Sequence, residues 1–126
     1  MTMEIYRPGA AQVPTGMTRP TFTGDGKLEP MHMLDVASTD SISMVTFDAA
    51  ARTHWHEHEA GQVLVIVDGA GLVALQGEDP VQLTPGDIVV TNPGEVHWHG
   101  AGPDAPMSHL AVTRGTTAWH DPVEGS

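Results

Sequence analysis

Proline and glycine interrupt this chain too often for a helix to run. Ten prolines and fourteen glycines are spread over 126 residues. No window of eleven residues combines helical periodicity with freedom from a breaker. What remains are short β-branched or alternating runs, which predict strands at 31–36, 41–47, 53–58, 62–68, 71–76, 81–84, 87–91, 96–100 and 107–113. Between them, Asp68-Gly69 reads as a hairpin turn joining QVLVIV to GLVALQ, and Thr84-Pro85-Gly86-Asp87 and Asn92-Pro93-Gly94 read as tight turns. Strands at such spacing point to an all-β sandwich or barrel. The length suits one core and leaves no room for a second domain. Residues 1–30, with Pro8, Pro14, Pro20 and Pro30, are expected to form an irregular arm with one short strand near Ile5-Tyr6. Residues 31–113 would be the barrel, and 114–126 a polar tail with Trp119 as an anchor.

The stretch THWHEHEAGQ, residues 53–62, carries three of the eight histidines, at His54, His56 and His58. In an extended strand all three would point one way. They would also spread over about 13 Å at roughly 3.3 Å per residue, too far for one ion to hold both ends. Pairing His54 with His56 leaves Ala60 and Gly61, which cannot ligate, four and five residues on. Pairing His56 with His58 leads instead, through a turn at Glu59-Ala60-Gly61, to the side-chain oxygen of Gln62. Downstream, Val96-His97-Trp98-His99 places His97 and His99 on one face of another strand, with Trp98 pointing away. Three neutral imidazoles and one oxygen suit Mn, Fe, Ni, Zn or Cu. The favoured pair is therefore His56 and His58, with Gln62 within reach and His54 left at the rim; the second strand offers both His97 and His99.

These residues resemble the two signatures of the cupin superfamily. The first reads H-x-H, three or four residues, an acidic ligand, six residues, then glycine; here His56, His58, Gln62 and Gly69 fill it. In the second, Gly86, Gly94 and His97 fall in place. The sequence departs from the pattern at Ala50, where the first signature opens with glycine, and at Gln62, where glutamate is usual. Asn92 replaces a proline, and Ala101 replaces the final asparagine. WHEHEAGQ, PGEVHWHGA and the later HLA are similar to a group of small bacterial cupins. That group includes manganese-dependent cupin hydroxynitrile lyases and cupins encoded near carboxymuconolactone decarboxylases. The likeness runs from about Phe22 to Trp119. It implies a cupin-type double-stranded β-helix, or jelly-roll barrel, in a single domain. It also implies one divalent metal per chain, Mn before Fe, Ni or Zn, held by His56, His58, Gln62 and His97, and acid–base roles for His99 and His109. The barrel-facing residues it implies for a substrate pocket are Ser43 and Val45, joined by Phe47, Leu64, Met107 and Ala111. A neutral Gln62 would leave the metal site one unit more positive than a glutamate, and so more Lewis acidic.

Sixteen acidic against five basic residues, a net charge of -11, argue against a nucleic acid or an anionic membrane as partner. There is no cysteine to form a disulfide or thiolate site, and MTMEIYRPGAAQ has no apolar h-region, so a cytoplasmic protein is expected. The run from Gln62 to Val67 is apolar on both faces beyond Gln62 and wants cover on both, which predicts a homodimer or homotetramer. Trp55 and Trp98 should face away from the site, Glu57 outward, and Arg52 should form an ion pair or a cap. His32 and His120 fit no pattern and are expected at the surface. The leading functional reading is a metal-dependent cupin acting on a small organic molecule, most concretely a hydroxynitrile-lyase-like enzyme that splits a cyanohydrin into aldehyde and cyanide. The alternatives are an oxidative cupin of dioxygenase or polyketide-cyclase type, and a small-ligand-binding cupin without turnover.

Overall fold

A computed structural model describes Met3, Ile5 and residues 22–24, 26–33 and 40–123. Twelve strands follow one another: β1 (Phe22–Thr23), β2 (Gly26–Met33), β3 (Ser41–Phe47), β4 (Arg52–Thr53), β5 (His56–His58), β6 (Gln62–Gly69), β7 (Gly71–Leu75), β8 (Val81–Leu83), β9 (Ile88–Thr91), β10 (His97–Ala101), β11 (Met107–Thr113) and β12 (Thr117–Trp119). No helix among the described residues is long and apolar enough to cross a membrane. Two antiparallel sheets result. One has the order β2-β3-β11-β6-β9; the other runs β1-β4-β10-β5-β12, with β7 also paired to β10 and β8 to β7. Two facing sheets with strands exchanged between them make the expected all-β jelly roll.

The strand expected at 31–36 begins earlier, at Gly26, and positions 34–36 lie outside the described residues, as does Tyr6 of the strand expected near Ile5-Tyr6. Pro30, one of the prolines that made this segment look irregular, is tolerated because β2 is an edge strand; Pro8, Pro14 and Pro20 lie outside the described residues. Its register against β3 slips between Pro30 and His32. A second correction concerns Asp68-Gly69. β6 pairs with β11 and β9, whereas β7 pairs with β10 and β8, so the turn does not close a hairpin. It carries the chain from one sheet to the other. Gly69 sits at φ 86°, and a Cβ there would meet the Pro106 carbonyl oxygen at 2.0 Å. A corner this tight accepts only glycine.

Between the sheets lies one core: Val45, Phe47, Leu64, Ile66, Met107 and Ala111 from the first sheet, against Phe22, Ala51, Leu83 and Ala101. Full burial of Phe47, Leu64 and Ile66 stabilises the fold by about 1.5–3 kcal/mol each. Phe22 and Phe47 stack at 5.1 Å. On the far side of the second sheet, Trp98 is buried with Ala74 and Val123, and Trp55 packs against them. Both tryptophans thus face away from the histidines, as alternation requires. Among the described residues Arg52 forms neither the expected cap nor an ion pair; its guanidinium lies 4.7 Å over the Trp98 ring, because β4 and β10 are neighbours and Arg52 shares Trp98's side of the sheet. The outer face of the first sheet carries two apolar rows, Ile42–Val112–Val63–Val90 and Met44–Leu110–Val65–Ile88. Val90 and Ile88 are 62% and 65% exposed. This is the surface on which the expectation of an oligomer rests.

Candidate metal centre

Five histidines meet inside the barrel mouth: His56, His58, His97, His99 and His109, all buried. Their placement follows from strand pairing. His97 on β10 lies opposite His56 on β5, and His109 on β11 opposite Val45 on β3. Alternation brings His99 to the same side as His97, with Trp98 between them turned outward. Gln62 enters from the start of β6 after the Glu59-Ala60-Gly61 turn, where Gly61 takes φ 89°. Its cross-strand partner is Thr113.

The row of three histidines is broken. Gly100 pairs with Arg52 and His97 with His56, so three steps along β10 face four along the β4–β5 run. The extra residue makes a bulge at His54-Trp55, and a bulge re-aims the side chains that follow it. Thr53, not His54, is therefore the buried residue before His56. His54 contributes its backbone instead, accepting a hydrogen bond from His56 Nδ1 at 2.8 Å.

That bond fixes a tautomer. With Nδ1–H given to a carbonyl, His56 keeps Nε2 bare as an acceptor. His97 is held alike, its Nδ1–H donating to the Glu95 carbonyl at 2.9 Å. His58 Nδ1 meets Thr117 Oγ1 at 2.9 Å, and its Nε2 has no hydrogen-bond partner among the described residues. Gln62 Nε2 donates to Thr113 Oγ1 at 2.9 Å, which turns Oε1 toward His97 Nε2 at 3.3 Å. Two lone-pair carriers thus face one another in a buried place. Beside them, His109 Nε2 and His99 Nδ1 are 2.9 Å apart, while His99 Nε2 and His109 Nδ1 have no partner. The ligand nitrogens of His56, His97 and His99 lie within 4.8 Å of one another, so this cluster could hold a metal ion.

Burial keeps every one of these imidazoles neutral. It pushes His56 down to about 2, helped by the neighbouring His97. It takes His58 and His109 each to about 4, His97 adding to the effect at His58 while the Gln62 side chain opposes it. His97 is lowered by burial too, against the pull of the Glu95 carbonyl, and His99 is lowered well below its ordinary value by burial and then by His109. Neutral imidazole is the ligating form.

A cavity of about 170 Å³ opens onto His56, His58, Gln62, His99 and His109. Of the residues expected in a pocket, Ser43, Val45 and Ala111 line it; Phe47, Leu64 and Met107 lie in the closed core beneath. The inward face is the same, but large side chains fill one end of the barrel while small ones leave the other open. Phe47 backs the histidine pair, 5.8 Å from the His99 ring and 5.6 Å from His109. The walls also include Phe22, Ser41, Thr53, Thr113, Thr117 and Trp119, none anticipated from the sequence. Thr113 was findable, since it continues the inward alternation of His109 and Ala111. Thr117 and Trp119 sit on a three-residue strand in the supposed tail, opposite His58 and His56.

A Cupin domain family model matches residues 43–113. The chain belongs to the cupin family. A relative from Granulicella tundricola named (R)-mandelonitrile lyase is 38% identical over 110 residues, 87% of this chain and 83% of that protein. Among solved structures, a cupin-like protein from Thermotoga maritima is 29% identical, with a TM-score of 0.80 over 98% of this chain and 92% of that one. A predicted oxalate decarboxylase from the same organism, 17% identical with a TM-score of 0.72 over 90% of this chain and 100% of that one, shares the fold. One departure of this cupin from the family signature has a visible cost: Ala50, where glycine is usual, adopts φ 68° in the turn after β3.

Proposed function

We propose that this cupin holds one divalent metal through His56, His58, Gln62 and His97 and cleaves small aromatic cyanohydrins to an aldehyde and hydrogen cyanide. The observation that carries the metal reading is the facing of Gln62 Oε1 and His97 Nε2 at 3.3 Å, both lone-pair carriers as their other bonds stand. Turning the amide over would relieve that contact alone. A cation also answers the orphaned Nε2 of His58 nearby. Manganese is the metal proposed, from the resemblance to manganese-dependent cupin hydroxynitrile lyases; the Gln62 carbonyl oxygen suits it, and the imidazoles equally suit Fe, Ni or Zn. The substrate class is supported by the name of the 38% identical relative and by the cavity's size. About 170 Å³ suits one benzene ring with a small substituent, since a cavity of roughly 150 Å³ takes benzene.

Bound metal would supply Lewis acidity toward the substrate oxygen or cyanide. The protein's own groups handle the proton. When His99 Nδ1–H donates to His109 Nε2, His99 Nε2 is left bare, a buried acceptor on a ring that lines the cavity. It accepts the cyanohydrin hydroxyl proton as the C–CN bond breaks. The bond's electron pair leaves on cyanide, the carbonyl forms, and the proton returns to cyanide. His109 holds the His99 ring in that tautomer and shares the charge. Neutral imidazoles at neutral pH are the form such a base requires.

The test is cyanide release from mandelonitrile by the manganese-loaded protein. His97→Ala should lose both metal and activity. His109→Phe should keep the metal while kcat falls about 10²–10⁴-fold. A fully loaded protein without cyanide release, or oxygen uptake in its place, refutes the lyase reading.

A further inference from the structure

We infer that Trp119 is the specificity-determining wall of this cavity, selecting ligands that carry an aromatic ring over equally large saturated ones. The inference rests on the cyanohydrin reading above, whose substrate class it sharpens.

Two non-histidine aromatic side chains line the cavity, Phe22 and Trp119. Phe22 is committed elsewhere: it is 9% exposed and stacked nearly parallel on Phe47, at 5.1 Å and 21°. Trp119 is only partly covered: it is 43% exposed while lining the cavity, so part of its indole stands at the mouth where a ligand enters. Strand pairing puts it there. Trp119 lies opposite His56 on the last strand of the sheet, and the two rings meet at 4.5 Å and 36°. Besides Val45, Gln62 and the histidines, the walls are small or hydroxylic: Ser41, Ser43, Thr53, Ala111, Thr113 and Thr117. These small residues offer space and hydrogen bonds but no flat apolar surface. A ring held with one oxygen toward His56 and His58 would lie against the exposed part of the indole, the broadest aromatic surface at the mouth among the described residues. Aromatic pairs are favourable beyond their buried area, and that excess distinguishes a flat ring from a cyclohexyl group of like size.

Contact with His56 gives Trp119 a structural duty as well, so the readout must separate the two. The experiment compares benzaldehyde with cyclohexanecarbaldehyde, each titrated into the metal-loaded protein by calorimetry, in wild type, Trp119→Phe and Trp119→Leu, with metal content measured on every sample. The wild type should favour the aromatic aldehyde by about 2- to 13-fold. Trp119→Phe should keep most of that preference, and Trp119→Leu, apolar but not aromatic, should abolish it. A purely structural role would weaken both aldehydes together and leave their ratio unchanged. An unaltered ratio in Trp119→Leu overturns the assignment. So does equal binding of the two aldehydes by the wild type, which needs no variant and stays decisive if Trp119→Leu fails to fold. A loaded wild type that binds neither aldehyde sinks the cyanohydrin reading as well, whereas either of the other adverse results leaves that reading standing.

Discussion

Acid should unfold the metal-free protein well above the pH at which carboxylates titrate. His56, His58 and His109 sit at about 2, 4 and 4 in the fold, against 6.5 for a free imidazole. Between those values the unfolded chain binds protons that the native chain refuses. Stability therefore rises with pH through this window and falls as pH drops below 6.5. At pH 5.0, about 1.5 units below the free imidazole value and still above all three folded values, each group costs about 2 kcal/mol at 1.36 kcal/mol per unit. Together they cost about 6 kcal/mol, and His97 and His99, lowered by the same burial, act in the same direction. A domain of this kind has about 5–15 kcal/mol in all. Urea unfolding of the chelated protein, followed by circular dichroism at pH 7.5, 6.0 and 5.0, should show the midpoint falling steeply with an unchanged slope. Carboxylates ionise near pH 4 and contribute little in that range. A stability constant within about 1 kcal/mol from pH 7.5 to 5.0 would refute the reasoning, because it would mean that these imidazoles reach water in the folded state.

Two further outcomes follow from local geometry. His54→Ala should leave metal content unchanged by elemental analysis, since the bulge turns that imidazole off the inward face and only its carbonyl holds His56; loss of metal would show that the wrong pair of histidines has been assigned. Ala50→Gly should stabilise the protein by up to about 1.5 kcal/mol and raise its urea midpoint, because the left-handed backbone at φ 68° costs a non-glycine residue about 1–2 kcal/mol while glycine's freedom in the unfolded chain takes back about 0.4–1. A lowered midpoint would mean that the Ala50 methyl group packs favourably enough to outweigh the strain.

The parts of this architecture readable from sequence are those that depend on one strand alone. Alternation on β10 separates His97 and His99 from Trp98, and alternation on β6 separates Gln62, Leu64 and Ile66 from Val63 and Val65, because each pattern is a property of the pleat. The tight turns at Thr84–Asp87 and Asn92–Glu95 are equally local, each closed by its own backbone hydrogen bond. Asp68-Gly69 marks the limit. A left-handed glycine is needed whether the chain doubles back to pair or crosses to the facing sheet, so the dipeptide announces a corner without saying which kind.

The histidine row fails for a related reason. Residues 53–58 have the composition of an unbroken strand, and nothing within them requires an extra residue at His54-Trp55. The bulge is defined by the partner: it exists because β10 pairs with Arg52 at Gly100 and with His56 at His97. Trp119 was invisible on the same grounds, since a three-residue strand has no period to read and acquires its inward face only by pairing with β5. The centre is thus a product of long-range register. Single-strand periodicity chose the candidates, and cross-strand pairing decided that Thr53 and Trp119, rather than His54, stand beside His56. That division predicts where change is tolerated. Outward substitutions that preserve alternation should leave the centre intact, as should deletion of the one bulged residue between Arg52 and His56, which leaves three steps facing three. One residue inserted within β5 itself would instead turn one of its two ligands out of the barrel.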